Sequence, residues 1–512
     1  MKLTLHTIGC LAFATLLHTA MFAQDGLPDP TFGNNGVVQH DLDGKADVAL
    51  GMALQPDGKV VVCGSKRDYP AEEDLFVARF NSDGSLDTDF ASNGWFEYDH
   101  AGGSDVAWSI TVRPDGRLVV VGTALSGSNY QGFVLQLDGN GTLDPGFGQG
   151  GLFVAQHPFG SGLGSIVLLS DGSLVGAGSV MDSSNYYYPL IVKLDAAGEL
   201  DTSFGTGGAT TTSEAGTQLI HVSSGPGGSL VASGNHQVNE LRIFKLSADG
   251  TLDPAFGTNG VFMESVSLPE GEHALLPSGK VLISGQSGND LRSVRLLPDG
   301  TLDANYGTGG VVNEIVPNIQ ASRTMVALPD GRFIVGGRHY SGNAWSHMVV
   351  RFLSDGSPDP SFGTNGYAYL NFSPAQHHAN DIAALSDGKV VCVFGRTTVL
   401  NNDADIVLVR LTGTPIGIQE TLSMQVGSLR CSAAQGDLLV FGPMFPDAQG
   451  YSVAVSDMSG RSVNTSGATF TASGNCTPCA APLPRALAAG VYVASVADPE
   501  GRSRTCRFVL AD

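Results

Sequence analysis

Apolar positions along the chain fall in short runs, each bounded by Gly, Asp, Pro or Ser. The runs are β-branched or aromatic in character, as in Lys59-Val60-Val61-Val62, Arg117-Leu118-Val119-Val120-Val121 and Lys389-Val390-Val391. They show no helical spacing, so the pattern predicts strands. The order of the runs is fixed. A short strand such as Gly36-Val37-Val38 comes first. A second, Met52-Ala53-Leu54, leads into a two-residue turn at Asp57-Gly58. A third follows at once and ends at Gly64, and a fourth, Leu75-Phe76-Val77-Ala78-Arg79-Phe80, completes the unit.

One aromatic marks the period. It falls at Phe32, Phe90, Phe147, Phe204, Phe256, Tyr306 and Phe362, each time in a (Leu/Pro)-Asp-x-x-aromatic string. The hairpin turn recurs at Asp115-Gly116, Asp171-Gly172, Gly227-Gly228, Ser278-Gly279, Asp330-Gly331 and Asp387-Gly388, pairs that tolerate positive φ. Seven four-stranded units predict an all-β fold, a seven-bladed β-propeller of four-stranded blades. Each blade leaves its faces bare until neighbours cover them. A linear β-solenoid would have shorter periods, and a string of sandwich domains longer ones.

The fourth strand carries Arg79, Gln136, Lys193, Lys245, Arg295, Arg351 and Arg410. Eight residues beyond the first six lie Asp87, Asp144, Asp201, Asp253, Asp303 and Asp359. A ring of basic residues could line an anion-binding channel. Recurrence at fixed spacing instead favours a clamp within each blade, because structural motifs recur per repeat and sites do not. Arg410 has Ile418 eight residues on, and Asp29 has no cation eight residues before it. A closed ring is therefore expected to bring Asp29 to Arg410.

Composition narrows the function classes. The formal net charge is −22, only 15% of residues are charged, and 68 of 512 are Gly. Long coiled coils and disordered acidic tails do not have this make-up. The shortage of clustered Lys and Arg argues against nucleic acid as a partner.

The two ends read differently from the body. Met1-Lys2, the apolar stretch from Ile8 to Leu17 and the small residues before Gln24 read as a signal peptide over residues 1–23, cut after Ala23. No later segment is long and apolar enough to span a bilayer, so a transmembrane protein is not expected. The expected order is residues 1–23 signal peptide, 24–414 propeller of seven repeats, 415–424 linker and 425–512 a small C-terminal β-sandwich of alternating strands. Cys63 and Cys392 read as buried thiols within the repeats. Cys431, Cys476, Cys479 and Cys506 are candidates for disulfides, which an exported location permits, with three connectivities open. A redox pair at Cys476 and Cys479 is disfavoured because the surrounding Gly/Ser/Thr/Pro stretch is a loop.

Candidate chemistry is sparse. His40, His100 and His157 follow their repeat's aromatic by similar distances, and His377-His378 lies near Asp381. Spread over different blades, these read as loop residues and not as a zinc site. Pairs such as Asp83/Asp87 and Asp249/Asp253 lack the Glu that closes an EF-hand loop, so calcium is not expected. Gly-x-Ser-x-Gly and His-Glu-x-x-His motifs are missing. Paired carboxylates for glycoside cleavage are spatial, and the sequence offers too many acids to choose from. No catalytic residue, metal or cofactor is expected. The loops at 65–74, 123–132 and 338–346 vary most between repeats and are where a ligand site is sought.

Two resemblances follow from these strings. The Leu-Asp-x-x-Phe-Gly loop, the Asp-Gly-Lys-Val-Val-Val-x-Gly hairpin and the Val-x-Arg-Phe strand resemble the delta-60 repeat family of bacterial proteins over roughly residues 27–414. Repeats 4 and 5 depart most. That family implies repetition and an exported setting, and it transfers no ligand or catalytic residue. Val455-Ser456-Asp457-Met458-Ser459-Gly460-Arg461, the Leu487-x-x-Gly490-Val491-Tyr492-Val493 strand and a terminal strand resemble the C-terminal sorting domain of the type IX secretion system. A Pro-Asn-Pro opening is missing, and the chain ends in Ala511-Asp512. This resemblance implies delivery across the outer membrane by secretion machinery. The expected protein is secreted or on the cell surface, exported through the periplasm. It is a non-enzymatic binding or scaffold propeller with a glycan or protein ligand. A polysaccharide hydrolase or lyase and a structural adhesin are the alternatives.

Overall fold

A computed structural model describes residues 24–414, apart from 68–72, 101, 238–239, 265–270, 277, 288–289, 315–318, 342–343, 371–375 and 398–404. It also describes eight strands within residues 430–510. The segments read as signal peptide (1–23) and linker (415–424) lie outside the described residues. The chain divides into two compact units, Met1–Ile416 and Gly417–Asp512.

The first unit is a seven-bladed β-propeller of four-stranded antiparallel blades. Blade 1 runs outward through Ala46–Leu54, Val60–Arg67, Glu73–Phe80 and Trp95–Tyr98. The inner strands of blades 2 to 7 are Asp105–Val112, Ser161–Leu168, Thr217–Ser224, Glu272–Leu275, Ile319–Ala327 and Gln376–Ala384. Each inner strand touches the next, and that of blade 7 touches that of blade 1, so the ring is closed.

The blades are out of phase with the sequence repeat by one strand. The first strand of each repeat becomes the outermost strand of the preceding blade. Blade 7 therefore lacks an outer strand of its own and takes Val37–His40 from the N-terminal segment, with Val37 opposite Val409 and His40 opposite Ile406. The adjoining Asp25-Gly26-Leu27-Pro28-Asp29 fills the loop that Asp83-Gly84-Ser85-Leu86-Asp87 fills in blade 1. Pro28 bridges Leu411 just as Leu86 bridges Phe80.

Middle strands are apolar on both faces because a blade covers each side. Val60 and Val62 pack with Val391 and Val393 of blade 7, whereas Val61 and Cys63 pack with Ala107 and Leu118 of blade 2. This is why those runs read as continuous Val and not as alternation. Fully burying each such side chain stabilises by about 1.5–3 kcal/mol.

Charge completes the blade junctions. Asp87 Oδ2 accepts from Arg79 Nε at 2.6 Å and from Lys59 Nζ at 2.7 Å. Equivalent pairs are Lys193–Asp201 at 3.0 Å, Lys245–Asp253 at 3.2 Å, Arg295–Asp303 at 2.8 Å and Arg351–Asp359 at 2.8 Å. Across the closure, Arg410 Nε donates to Asp29 Oδ2 at 2.7 Å, and Lys389 lies 3.1 Å from the same oxygen. The cations also reach the next blade: Arg79 Nη1 donates to Gly139 O at 2.6 Å, Arg295 Nη1 to Ser354 O at 2.6 Å, and Arg410 Nη1 to Ser82 O. Arg79, Arg295, Arg351 and Arg410 stack 4.5–4.8 Å from the centroids of Phe90, Tyr306, Phe362 and Phe32, the period-marking aromatics. Blade 2 departs from this scheme. Gln136 occupies the cation position and passes the contact on, donating to Asp144 at 2.8 Å and accepting from Arg113 Nε at 2.6 Å.

In the second unit, Arg430–Ala434, Asp437–Gly442 and Cys476–Pro482 form one antiparallel sheet. Ser462–Val463, Tyr451–Asp457, Gly490–Ala497 and Ser503–Leu510 form another, with Thr469–Phe470 pairing at its side. Arg430–Ala434 runs beside Ser503–Leu510. The side chains of Cys431, Cys476, Cys479 and Cys506 lie outside the described residues.

Burial alone would raise the Asp29 carboxyl, but hydrogen bonds from Thr31 and Lys389 and the Arg410 charge outweigh it and hold it well below the ordinary range. Its contribution is present above the unfolded pKa and is lost as pH falls. Asp29→Asn leaves a buried guanidinium uncompensated and should cost about 3–5 kcal/mol in urea unfolding at pH 7. Asp201→Asn, at a side chain one quarter exposed, should cost under about 1 kcal/mol. Equal losses would contradict the closure.

Candidate functional site

The inner strands of blades 1, 2, 3, 4 and 7 each carry a β-bulge, at Ala49/Gly51, Ala107/Ser109, Leu163/Ser165, Leu219/His221 and Ala379/Asp381. A bulge re-aims the extra residue. Those residues are Leu50, Trp108, Gly164, Ile220 and Asn380, and all five line a cavity of about 810 Å³ along the central channel. In blades 1 to 4 a Gly inside the second strand (Gly64, Gly122, Gly178 or Gly234) faces the bulge and makes room for it. A Cβ on Gly64 would sit 1.9 Å from Val48 O, and one on Gly178 would sit 1.9 Å from Gly162 O. Ser128, Asn129, Tyr130 and Gly160 bound the cavity at the strand ends opposite the Asp-Gly turns. The clamps lie at the other ends, so the structure separates them from the cavity.

The position after the bulge is Gly51, Ser109, Ser165, His221 and Asp381 in blades 1, 2, 3, 4 and 7, and its counterparts in blades 5 and 6 are Glu272 and Thr324. In three blades this side chain binds a backbone N–H of the next blade. Val222 N donates to Ser165 Oγ at 3.1 Å, Met325 N to Glu272 Oε2, and Met52 N to Asp381 Oδ2 at 2.8 Å. The following position holds a largely buried apolar side chain, Met52, Ile110, Ile166, Val222, Met325 or Ile382, in every blade but the fifth, where it is His273. His273 is buried, with Nε2 2.8 Å from Ser223 Oγ and Nδ1 2.7 Å from Ser233 Oγ. Its ring lies 4.6 Å from that of His221, whose Nε2 is 3.5 Å from Glu272 Oε1.

Depth governs the charge of this cluster. Asp381 and Glu272 keep some surface open to the cavity, but surrounding protein strips most of their water. Burial lifts Asp381 to about 7, against hydrogen bonds from Met52 and Ile382. Burial, then the Asp381 charge, pushes Glu272 well above the carboxylate range. Burial drops His221 to about 4, and burial with its neighbour His221 holds His273 well below the usual imidazole value. The cluster therefore carries little charge in mild acid. Chemically it offers a proton donor and a proton acceptor within one cavity.

Aromatic side chains stand at the cavity's open side. Trp108 is 43% exposed and Tyr130 49%, high values for such large rings. Trp108 Nε1 donates to Thr123 Oγ1 at 3.2 Å, which fixes the indole plane.

Other sequence candidates do not converge. His40 lies edge-on to Phe80, His100 stacks by Tyr98 and His157 tilts against Phe159, each on a different blade. The side chains of His377 and His378 lie outside the described residues. Asp83 and Asp249 cap their own turns through Ser85 N at 2.9 Å and Thr251 N at 3.0 Å. Cys63 and Cys392 are buried free thiols, raised by burial. Among the described residues, Asp74, Asp99 and Asp105 bring carboxylate oxygens within 4.8 Å of one another, fewer ligands than the six to eight calcium takes. Of the loops singled out by variability, that at 123–132 reaches the cavity through Ser128–Tyr130. The residues that sequence reasoning missed are Trp108, His221, Glu272 and His273. Their signal was present as departures from the repeat at three consecutive positions of the inner strand.

A family model described as "Domain of unknown function (DUF5122) beta-propeller" matches residues 55–90, 113–147, 169–204, 276–306 and 328–362. Each match runs from the inner hairpin turn to the period-marking aromatic and so spans a clamp. The curated proteins contain no match. Among solved structures, a glucose dehydrogenase is 13% identical over 73% of this chain and 98% of its own, at a TM-score of 0.33. The soluble aldose sugar dehydrogenase of Escherichia coli is 11% identical over 74% and 99%, at 0.33. The Nup133 β-propeller domain of Vanderwaltozyma polyspora is 9% identical over 73% and 100%, at 0.35. At these values the likenesses carry no argument about function. Among the described residues no helix is long and apolar enough to cross a membrane.

A carboxyl raised on folding stabilises fully below its unfolded pKa and loses that contribution as pH rises through the folded value. Asp381 and Glu272 share this sign, as does Asp47, which burial lifts to about 7. Unfolding free energy should therefore fall between about pH 4 and 7, by up to about 1.4 kcal/mol per pH unit for each group titrating. Asp381→Asn should lessen the fall and gain on wild type at pH 8. A variant curve parallel to wild type would refute the assignment.

Proposed function

We propose, for a chain built of DUF5122 β-propeller repeats, an exported binding protein that holds its ligand in the channel cavity and is delivered by its C-terminal unit. One observation carries the binding half. The side chains that break the seven-fold repeat, namely Trp108, His221, Glu272 and Asp381, converge on a single cavity. Residues that serve the ring recur in every blade, whereas residues that serve a ligand need occur only once. The export half rests on the sequence: the signal-like residues 1–23 and the C-terminal strings similar to a type IX sorting domain. Secretion machinery is the partner of residues 425–512 in this reading.

A second reading, cleavage of a polysaccharide, draws on Glu272 and Asp381. Two carboxyls that face one cavity and are both held above the ordinary carboxylate range by burial are groups that general acid–base chemistry uses.

The purified full chain should retain ligands on a glycan array without releasing products. Gly164→Tyr fills the channel without backbone strain, since its Cβ meets nothing nearer than 3.5 Å, and should abolish retention while melting is unchanged. Retention that survives this variant would remove the binding reading. Product release lost in Glu272→Gln and Asp381→Asn would replace it with the enzymatic one. Deletion of residues 425–512 should leave the chain in the cell envelope on fractionation. Undiminished release would end the export reading.

A further inference from the structure

We infer that the channel cavity takes an uncharged oligosaccharide, with one sugar ring lying on Trp108 and its hydroxyls reaching inward to the amides and carboxyls. The inference rests on the binding reading above and adds the ligand's chemical class.

Charge sets the first limit. Lys and Arg are missing from the described residues that line the cavity, while Glu272 and Asp381 face into it. Every well-buried clamp aspartate has a cation within 3.3 Å, so this chain does pair its buried carboxylates where they must stay ionised. An anionic ligand such as a uronate or a phosphate would meet two acids and gain no counter-charge. In mild acid the pair keeps its protons, which leaves a cationic ligand little to bind as well.

Hydrogen-bonding capacity sets the second limit. Gln218 and Asn380 line the wall, and an amide presents both donors and acceptors. Asn380 spends one donor on Ala49 O at 2.7 Å and keeps its carbonyl. A sugar hydroxyl likewise donates and accepts, so a polyol satisfies such a wall without leaving either partner unmatched. Protonated carboxyls extend the same pattern inward.

Shape sets the third. Trp108 and Tyr130 are large, flat and half-exposed at the open side, and Trp108 is held in plane by Thr123. The C–H face of a pyranose is apolar and flat, so stacking there recovers burial that these rings lack. A volume of about 810 Å³ lies within the range of small-ligand sites and accommodates a few sugar units end-on.

Calorimetry on the full chain at pH 5.5 tests this with six tetrasaccharides. Four are neutral: cellotetraose, maltotetraose, mannotetraose and tetra-N-acetylchitotetraose. The other two are tetragalacturonate and fully deacetylated chitotetraose. At least one neutral member should saturate. Trp108→Ala should weaken it at least tenfold, and Trp108→Tyr should restore it to within about threefold, with unchanged melting. Preference for tetragalacturonate or the deacetylated sugar, lost in Gly164→Tyr, would overturn the ligand class and leave the binding reading standing. No saturation by any neutral member would overturn the inference. If glycan-array retention also survives Gly164→Tyr, the binding reading falls with it.

Discussion

A buried cation held against a buried carboxylate at the blade junctions is the interaction on which the ring depends. Removing either charge from water is costly, and each is retained only because its partner is fixed nearby. The aspartate does two jobs with two oxygens. In blade 1, Asp87 Oδ2 takes Arg79 and Lys59 while Oδ1 faces Asp89 N at 3.3 Å. The arginine then lies on the period's aromatic and reaches a carbonyl of the next blade. Loop, blade and neighbour are thus tied at one point.

The same logic explains the closure. Blade 7 has Arg410 and Lys389 but no following loop, so the N-terminal segment brings Asp29 to both, while its Asp25 meets Arg351 of blade 6 at 2.7 Å. Gly363 N donates to Asp25 O at 2.7 Å, as Gly257 N donates to Asp299 O at 2.8 Å inside the ring. The first and last repeats are joined by the interactions that join any two neighbours. Much of the acidity that first looks like a clue to partners is committed to these turns.

Period, turn chemistry and clamp were legible in the sequence because they recur, and so was the pairing of Asp29 with Arg410, residues 381 apart. The phase of the blades was not, because strand runs carry no mark of which sheet they join until closure assigns Val37–His40 to blade 7. The exchange at Gln136 was hidden too, since Arg113 lies on a different strand end and meets it only in space. The cavity was the hardest part. His221, Glu272, His273 and Asp381 come from three blades and look unremarkable one at a time. Each stands where other repeats carry a small or apolar residue, and bulges invisible to strand patterning precede His221 and Asp381 on their strands. Repeats that depart from the others in length and turn residues proved to hold most of this cluster.

The central claim is a division of labour: recurring residues hold the ring, and departures from the repeat hold the ligand. It is tested most directly by measuring melting and retention of the bound tetrasaccharide together on two variants, Arg295→Gln at a clamp and Glu272→Gln in the cavity. The account predicts that Arg295→Gln lowers the melting temperature and leaves affinity, measured well below melting, within about twofold. It predicts that Glu272→Gln shifts affinity several-fold and does not lower the melting temperature. Affinity lost through the clamp variant, or untouched by the cavity variant, would contradict it.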